Sequence, residues 1–389
     1  MPAPASSEGQ AHRPVVGVVG AGQLARMMVP PAVELDIDLR LLAARADDAA
    51  AQVIPATMVG DERGLDDLQR LASQVDVLTF DHEHVPAAHL HTLESAGAVV
   101  RPGPHALPFA TDKAVMRRGL RDAGLPVPRF EVIEAVDELS AAVDAVGGWP
   151  VVLKTARGGY DGRGVWVVET IADAEPVFSA RVPVIVEERV DFVRELAAVV
   201  ARSPSGQAVA YPVVESVQSD GICVQVVAPA PGLAETTSTA AQALALQVAS
   251  TVDVTGILAV ELFECADGSL LVNELAMRPH NTGHWTIEGA ATSQFENHLR
   301  AVLDLPLGSP APVATAAVMV NVLGGDLPDV HRALRHVMAR DPAAHVHLYG
   351  KAVRPGRKIG HVTVVGDDVD DLRRRAQHAA DYITGVIDE

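Results

Sequence analysis

The stretch GGYDGRG, residues 158–164, gathers four glycines around Tyr160, Asp161 and Arg163. A phenol, a carboxylate and a guanidinium thus ride on backbone whose amides can turn toward an anion. The stretch falls between two apolar runs, PVVLKTA and GVWVVE, so it is predicted as a long hairpin loop. It lacks the Gly-x4-Gly-Lys-Ser/Thr pattern of a P-loop. A plain surface tip is the simpler alternative, but Lys154, in the apolar strand just before the loop, needs a partner there, and a nucleotide phosphate would supply one.

A second site lies in LAVELFECADGSLLVNEL, two apolar runs joined through Asp267 and Gly268, a strong hairpin signal. If those two residues form the turn, Glu261 faces Glu274 with Cβ atoms roughly 5 Å apart, an arrangement that repels unless something positive intervenes. Two such carboxylates with phosphate oxygens completing the shell describe a magnesium site. In a regular strand Asn273 points to the opposite face. A solvent-facing pair, or a three-residue turn that shifts the register, is the alternative. The loop MRPHNTGHW follows, crowding Arg278, His280, Asn281 and His284. Pro279 and Gly283 argue against a helix, and so against a zinc pair at helical spacing; these donors suit a small oxyanion better.

A third cluster, YGKAVRPGRKIGH, brings Lys351, Arg354, Arg357, Lys358 and His361 together. It reads either as a solvated basic loop or as a patch for a phosphate monoester. Weaker is Gly20-x-Gly22-x-x-Ala25 after a strand, a loose match to the dinucleotide fingerprint. His82, Glu83 and His84 sit at a strand's carboxyl end, where open α/β sheets bind ligands.

The elements that must position these groups begin with a parallel α/β rhythm: strand, glycine turn and helix in PVVGVVGAGQLARMM, then strands at IDLRLLAA and residues 75–80. Pro30 and Pro31 are expected to kink or end the first helix. A helix over residues 111–123 is closed by Gly124. From Trp149 short β-rich segments and one long helix at residues 236–252 predict an α+β domain on antiparallel sheet. A strand AAVMVNVLG, the basic loop, a strand HVTVVG and a terminal helix with early aspartates complete the chain.

At 389 residues the chain is read as two or three domains. The balance of 31 basic against 50 acidic side chains, net -19, argues against nucleic-acid or anionic-membrane partners, so an anionic substrate must be held by local basic clusters. Two cysteines without metal-ligand spacing fit a reducing compartment, and no apolar run reaches membrane-spanning length. The first 13 residues read as a frayed tail without a cleavage pattern, and the cytoplasm is the expected location.

GAGQLARM, GGYDGRG, VNELAMRPHNTGHWT, SQFENHLRAV and RPGRKIGH, in this order, resemble the 5-(carboxyamino)imidazole ribonucleotide synthetase family, the ATP-grasp carboxylases of purine biosynthesis. The resemblance implies α/β and α+β architecture: a tail (1–13), an amino-terminal α/β domain (14–108), a two-lobed ATP-grasp domain (109–305) and a small β-rich carboxyl-terminal domain (306–389), paired as a homodimer. It implies ATP and Mg2+ as cofactors, and 5-aminoimidazole ribonucleotide and bicarbonate as substrates. Lys113 and Lys154 would contact ATP phosphates, with Gly159, Gly162 and Gly164 of the loop beside the nucleotide. Glu187, Glu188 and Val190 would flank adenine, and Glu195 would hold the ribose. Gln218 stands where the family often has a histidine near ATP, and Asn273 joins this set from the hairpin. Glu261 and Glu274 would bind magnesium. Tyr160, Asp161, Arg163, Arg278, His280, Asn281, Lys351, Arg357 and Lys358 would surround carboxyphosphate and the ribonucleotide, with Gly22, Gln23, Leu24 and Glu83 binding the latter. Met277 replaces an expected proline, Thr282 a common serine, and Asp81 and His82 the more usual acidic-aromatic pair. The rival readings are another ATP-grasp ligase, a nicotinamide-dependent oxidoreductase resting on the first glycine turn, and a non-catalytic nucleotide-binding protein.

Overall fold

The computed structural model describes residues 12–159, 164–174, 177–178, 182–325, 327 and 329–388. Among these residues the strands form three sheets. The first is parallel, in spatial order Thr57–Val59, Asp38–Ala43, Val15–Val19, Val77–Phe80. Its central run VVGVV is buried nearly throughout, as a strand covered on both faces must be. The glycine turn leads into a short helix, Gln23–Met27, which ends at Met28; a second helix, Val29–Glu34, starts there with its prolines in the first turn, where a missing N–H costs nothing.

The helix expected over 111–123 is two, Pro108–Thr111 and Lys113–Asp122. Asp112 divides them in extended conformation, and its carboxylate accepts from the amides of Ala114 (2.9 Å) and Val115 (3.1 Å). An N-cap of this kind fixes where Lys113 emerges.

The second sheet is antiparallel, ordered Phe130–Ile133, Val184–Glu188, Val151–Thr155, Val165–Val168. Val151 pairs with Val168 and Lys154 with Val165, and the amide of Thr155 donates to Gly164 (3.0 Å), so the hairpin beneath GGYDGRG is formed. Tyr160, Asp161, Gly162 and Arg163 lie outside the described residues.

The third sheet runs Leu270–Ala276, Gly256–Cys265, Phe192–Arg202, Val214–Ser219, Ile222–Ala228, Ala316–Leu323, Lys358–Gly366, His345–Leu348, with Ala208–Ala210 alongside Phe192–Arg202. Ile222–Ala228 pairs directly with Ala316–Leu323, so central and carboxyl-terminal segments share one continuous ladder. The helix Glu235–Thr251 packs its buried Ala241, Leu244, Ala245 and Val248 into the core that contains Leu196 and Leu258. Each fully buried aliphatic side chain there contributes about 1.5–3 kcal/mol. The terminal helix, Val369–Thr384, is N-capped by Asp368, which accepts from the amides of Asp370 and Asp371, and it covers the carboxyl-terminal strands. No helix among the described residues is long and apolar enough to cross a membrane.

Candidate active site

A cleft of about 1250 Å³ opens between the three sheets. On one wall stands the hairpin Gly256–Cys265/Leu270–Ala276. Its turn has three residues, not the two expected: the Cys265 amide donates to Ser269 and the Gly268 amide to Cys265, with Gly268 at φ +79°. Near the tip Glu264 faces Leu270 and Leu262 faces Val272; Asn273 is then an extra residue, and beyond it Glu261 faces Glu274. The bulge undoes the shift made by the longer turn. It also corrects the expectation for Asn273, since a bulge re-aims its side chain: Asn273 lines the cleft, and its Oδ1 accepts from Lys154 Nζ at 3.1 Å.

Burial, reinforced by Glu274 and Glu195, pushes the Glu261 carboxyl up to about 8, with Lys113 opposing. Glu274 is ion-paired to Lys113. His280 Nε2 lies 3.6 Å from Glu261 Oε1, but burial, aided by Arg278 and Lys358, lowers its imidazole to about 3 and keeps it neutral. The two facing carboxylates share the single ion-paired ammonium of Lys113 among the described residues, which leaves the pair with excess negative charge when both ionise. A hard divalent cation fits that donor set, and among the described residues no group of three His, Cys, Asp or Glu could hold a metal by itself. A two-carboxylate site is what magnesium uses when phosphate and water complete its shell. His280 and His284 form no zinc site.

Lys154, expected to await a phosphate, already has a protein partner. Its ammonium is buried and sits 2.7 Å from Glu187 Oε2, while Glu187 Oε1 accepts from Arg117 Nε at 2.6 Å. Burial works to raise Glu187, yet the two cations hold it down at about 2. Glu188 is gripped by Arg129 through the guanidinium (2.7 and 2.8 Å) and the amide (2.7 Å). Both glutamates line the cleft, as do Val190, Gly159, Glu195 and Gln218. Burial raises the Glu195 carboxyl, and Gln218 Nε2 donates to Ser216 Oγ at 2.8 Å.

The opposite end is built by the first sheet and the basic loops. Glu83 accepts from Arg278 Nε (2.8 Å) and the Met277 amide (3.3 Å), tying the amino-terminal segment to MRPHNTGHW. Gln23, Leu24, His280, Asn281 and Lys358 share this wall. Gly22, Gly164, Lys351 and Arg357 are not among the described residues that line the cleft. The Gly22 and Ala25 amides donate to Asp81 (2.8 and 2.7 Å), so a carboxylate noted only as a departure holds the glycine turn in place. Lys351 reaches the wall through Gln23 Oε1, and Arg357 donates to the Ala352 carbonyl at 3.1 Å.

Gln294 was missed from sequence. Buried in the helix Gln294–Val302, its side-chain amide accepts from the His280 amide (2.9 Å), donates to the His280 carbonyl (2.7 Å) and lies 3.0 Å from His284 Nδ1. Nothing local marks it, because the partners of its side-chain amide are residues 280 and 284, across a turn of the chain.

Burial also keeps three other imidazoles neutral: His298, lowered to about 3, and His284 and His361, well below their ordinary value. The unfolded chain takes up protons on these rings below about pH 6.5 whereas the folded chain does not, so stability falls with acid. Each such ring steepens the loss by up to about 1.4 kcal/mol per pH unit once the unfolded imidazole is protonated. Chemical unfolding between about pH 6 and 4 measures it, and replacing His298 by glutamine is expected to make the slope shallower by about one ring's share, roughly 1.4 kcal/mol per pH unit.

The chain matches family models for the ribonucleotide synthetase preATP-grasp domain over residues 14–111, the ATP-grasp domain over 118–295 and the phosphoribosylaminoimidazole carboxylase C-terminal domain over 317–375. It is 54% identical over 381 residues to N5-carboxyaminoimidazole ribonucleotide synthase of Mycobacterium tuberculosis, covering 95% of this chain and 88% of the relative. To the synthase of Corynebacterium ammoniagenes it is 47% identical, covering 97% and 94%. A crystal structure of the Aspergillus clavatus N5-carboxyaminoimidazole synthase with ADP and 5-aminoimidazole ribonucleotide superposes with TM-score 0.87 at 33% identity, covering 95% of this chain and 98% of that one. Paired glutamates, a lysine-lined cleft and three successive domain matches converge with these likenesses: the chain belongs to the N5-carboxyaminoimidazole ribonucleotide synthase family, with an ATP-grasp fold.

Proposed function

We propose that the protein is an ATP-dependent ligase that joins bicarbonate to the exocyclic amine of 5-aminoimidazole ribonucleotide, through carboxyphosphate, giving 5-(carboxyamino)imidazole ribonucleotide, ADP and phosphate. The observation that carries this reading is the pairing of Glu261 with Glu274 in the same cleft as Lys113, Lys154, Arg278 and His280. Bicarbonate is a poor acylating agent and has to be phosphorylated first. Mg2+ held by Glu261 and Glu274 would supply charge neutralisation on the transferring phosphoryl group. Lys113 then exchanges Glu274 for a phosphate oxygen, and Lys154, kept cationic by Glu187, faces the phosphates from the floor.

Glu188 and Val190 flank the adenine and Glu195 the ribose. At the other end Arg278, His280, Asn281 and Lys358 hold the carboxyphosphate and the ribonucleotide, with Gln23, Leu24 and Glu83. Gly22, Lys351 and Arg357 support that wall. Tyr160, Asp161 and Arg163 arrive on the glycine loop, which excludes water from the mixed anhydride while Asp161 accepts the amine proton. The division at 13/14, 108/109 and 305/306, a homodimeric assembly and a cytoplasmic location complete the reading. Sedimentation of the purified chain tests the dimer.

ADP release measured with ATP, the ribonucleotide and bicarbonate, each omitted in turn, tests the reaction. Turnover is expected to require all three. Turnover that ignores bicarbonate and needs another carboxylate would make the protein a different ATP-grasp ligase.

A further inference from the structure

Behind the ribonucleotide end of the cleft lies a buried chain of polar side chains that no proposed contact with substrate uses. Gln294 clamps the peptide of His280 and touches His284. The His284 ring stands 5.1 Å from that of His361, which stacks at 4.5 Å on His347. His361 Nδ1 is 2.7 Å from the hydroxyl of Tyr349, and His347 Nε2 is 2.6 Å from Glu288. Gln294, His284, His361 and Tyr349 are all essentially inaccessible to solvent.

Three of the members sit close in sequence to groups in the cleft wall or in contact with it. His284 ends the turn that carries His280 and Asn281; His361 shares the strand Lys358–Gly366 with Lys358; Tyr349 precedes Lys351, which contacts Gln23. The chain therefore crosses the seam between the hairpin loop, the last strands and the amino-terminal turn. We infer that Gln294, His284, His361 and Tyr349 are positioning residues that set His280 and Lys358 in register across this seam for the ribonucleotide half of the reaction.

The chemistry of the two imidazoles supports a fixed joint. Both are held neutral, and the Nε2 atoms of His284 and His361 have no hydrogen-bond partner among the described residues. Burial is the main cause of that neutrality for both rings; His280, Lys358, His347 and Arg278 add to it at His284, and His347 and His284 add to it at His361. Each ring is thus tethered through Nδ1 alone. Asparagine places its amide near the Nδ1 position of histidine, whereas glutamine reaches toward Nε2.

The inference rests on the proposed carboxylation, and its test separates the two. Tyr349→Phe removes one hydroxyl and keeps the packing. It is expected to raise KM for the ribonucleotide about five- to tenfold, the worth of one buried hydrogen bond, with KM for ATP within about twofold of the parent. His361→Asn is expected to retain more ribonucleotide-dependent turnover than His361→Gln. Equal movement of both KM values, no movement in Tyr349→Phe, or glutamine matching asparagine would overturn the inference. Absence of ribonucleotide-dependent turnover in the parent chain would sink the carboxylation reading, and this inference with it. If the His361 variants do not fold, Tyr349→Phe decides alone.

Discussion

Replacing Glu274 by glutamine is expected to lower ribonucleotide-dependent ADP release by at least about a hundred- to a thousandfold, the scale seen when one group stabilising developing charge is removed. The carboxylate sits opposite Glu261 and is held by Lys113. An amide of the same shape keeps the ladder but removes half of the negative charge offered to a divalent cation. Glu261 is then the single remaining carboxylate of the facing pair. The loss should fall mainly on turnover, and circular dichroism should be unchanged. Full activity with an intact fold would contradict the metal assignment.

Removing the charge of Glu187 is the second large effect. Glu187→Gln leaves Arg117 and Lys154 buried without their counter-ion, and breaking such a pair costs about 3–5 kcal/mol. Urea unfolding at pH 7 measures the loss. The sign with pH follows from the depressed carboxyl: the stabilisation is complete above its ordinary 4.5 and drains away as pH falls toward about 2. In the variant that acid-dependent part should disappear. Its ATP affinity should also fall, because Lys154 loses the partner that keeps it charged against desolvation.

The hairpin of Glu261 and Glu274 shows how far local sequence carries. The facing of Glu261 and Glu274 was legible from two apolar runs and a turn, yet the turn has three residues and a bulge at Asn273 restores the pairing. Turn length and bulge are each set by packing on neighbouring strands, which periodicity does not encode. The strands around GGYDGRG and the parallel first sheet follow from apolar runs, and the break at Asp112 from a capping residue whose further partner, Arg157, follows the strand Val151–Thr155 and is distant only in sequence. Lys154 was recognised as needing a partner; that Glu187 and Arg117 provide it depends on which strand lies beside which. His284 and His361 were legible on their separate loops, but their contacts with each other and with Gln294 were not, because these neighbours come together only after the last strands dock.

Because Ile222–Ala228 hydrogen-bonds directly to Ala316–Leu323, severing the polypeptide between them would not liberate a self-sufficient fragment. It would strip an interior strand of its neighbour and leave a raw, aggregation-prone edge on each half. The sheet of Phe130–Ile133, Val184–Glu188, Val151–Thr155 and Val165–Val168 shares no ladder with that continuous frame, so its place over the cleft rests on side-chain contacts such as Lys154 with Asn273.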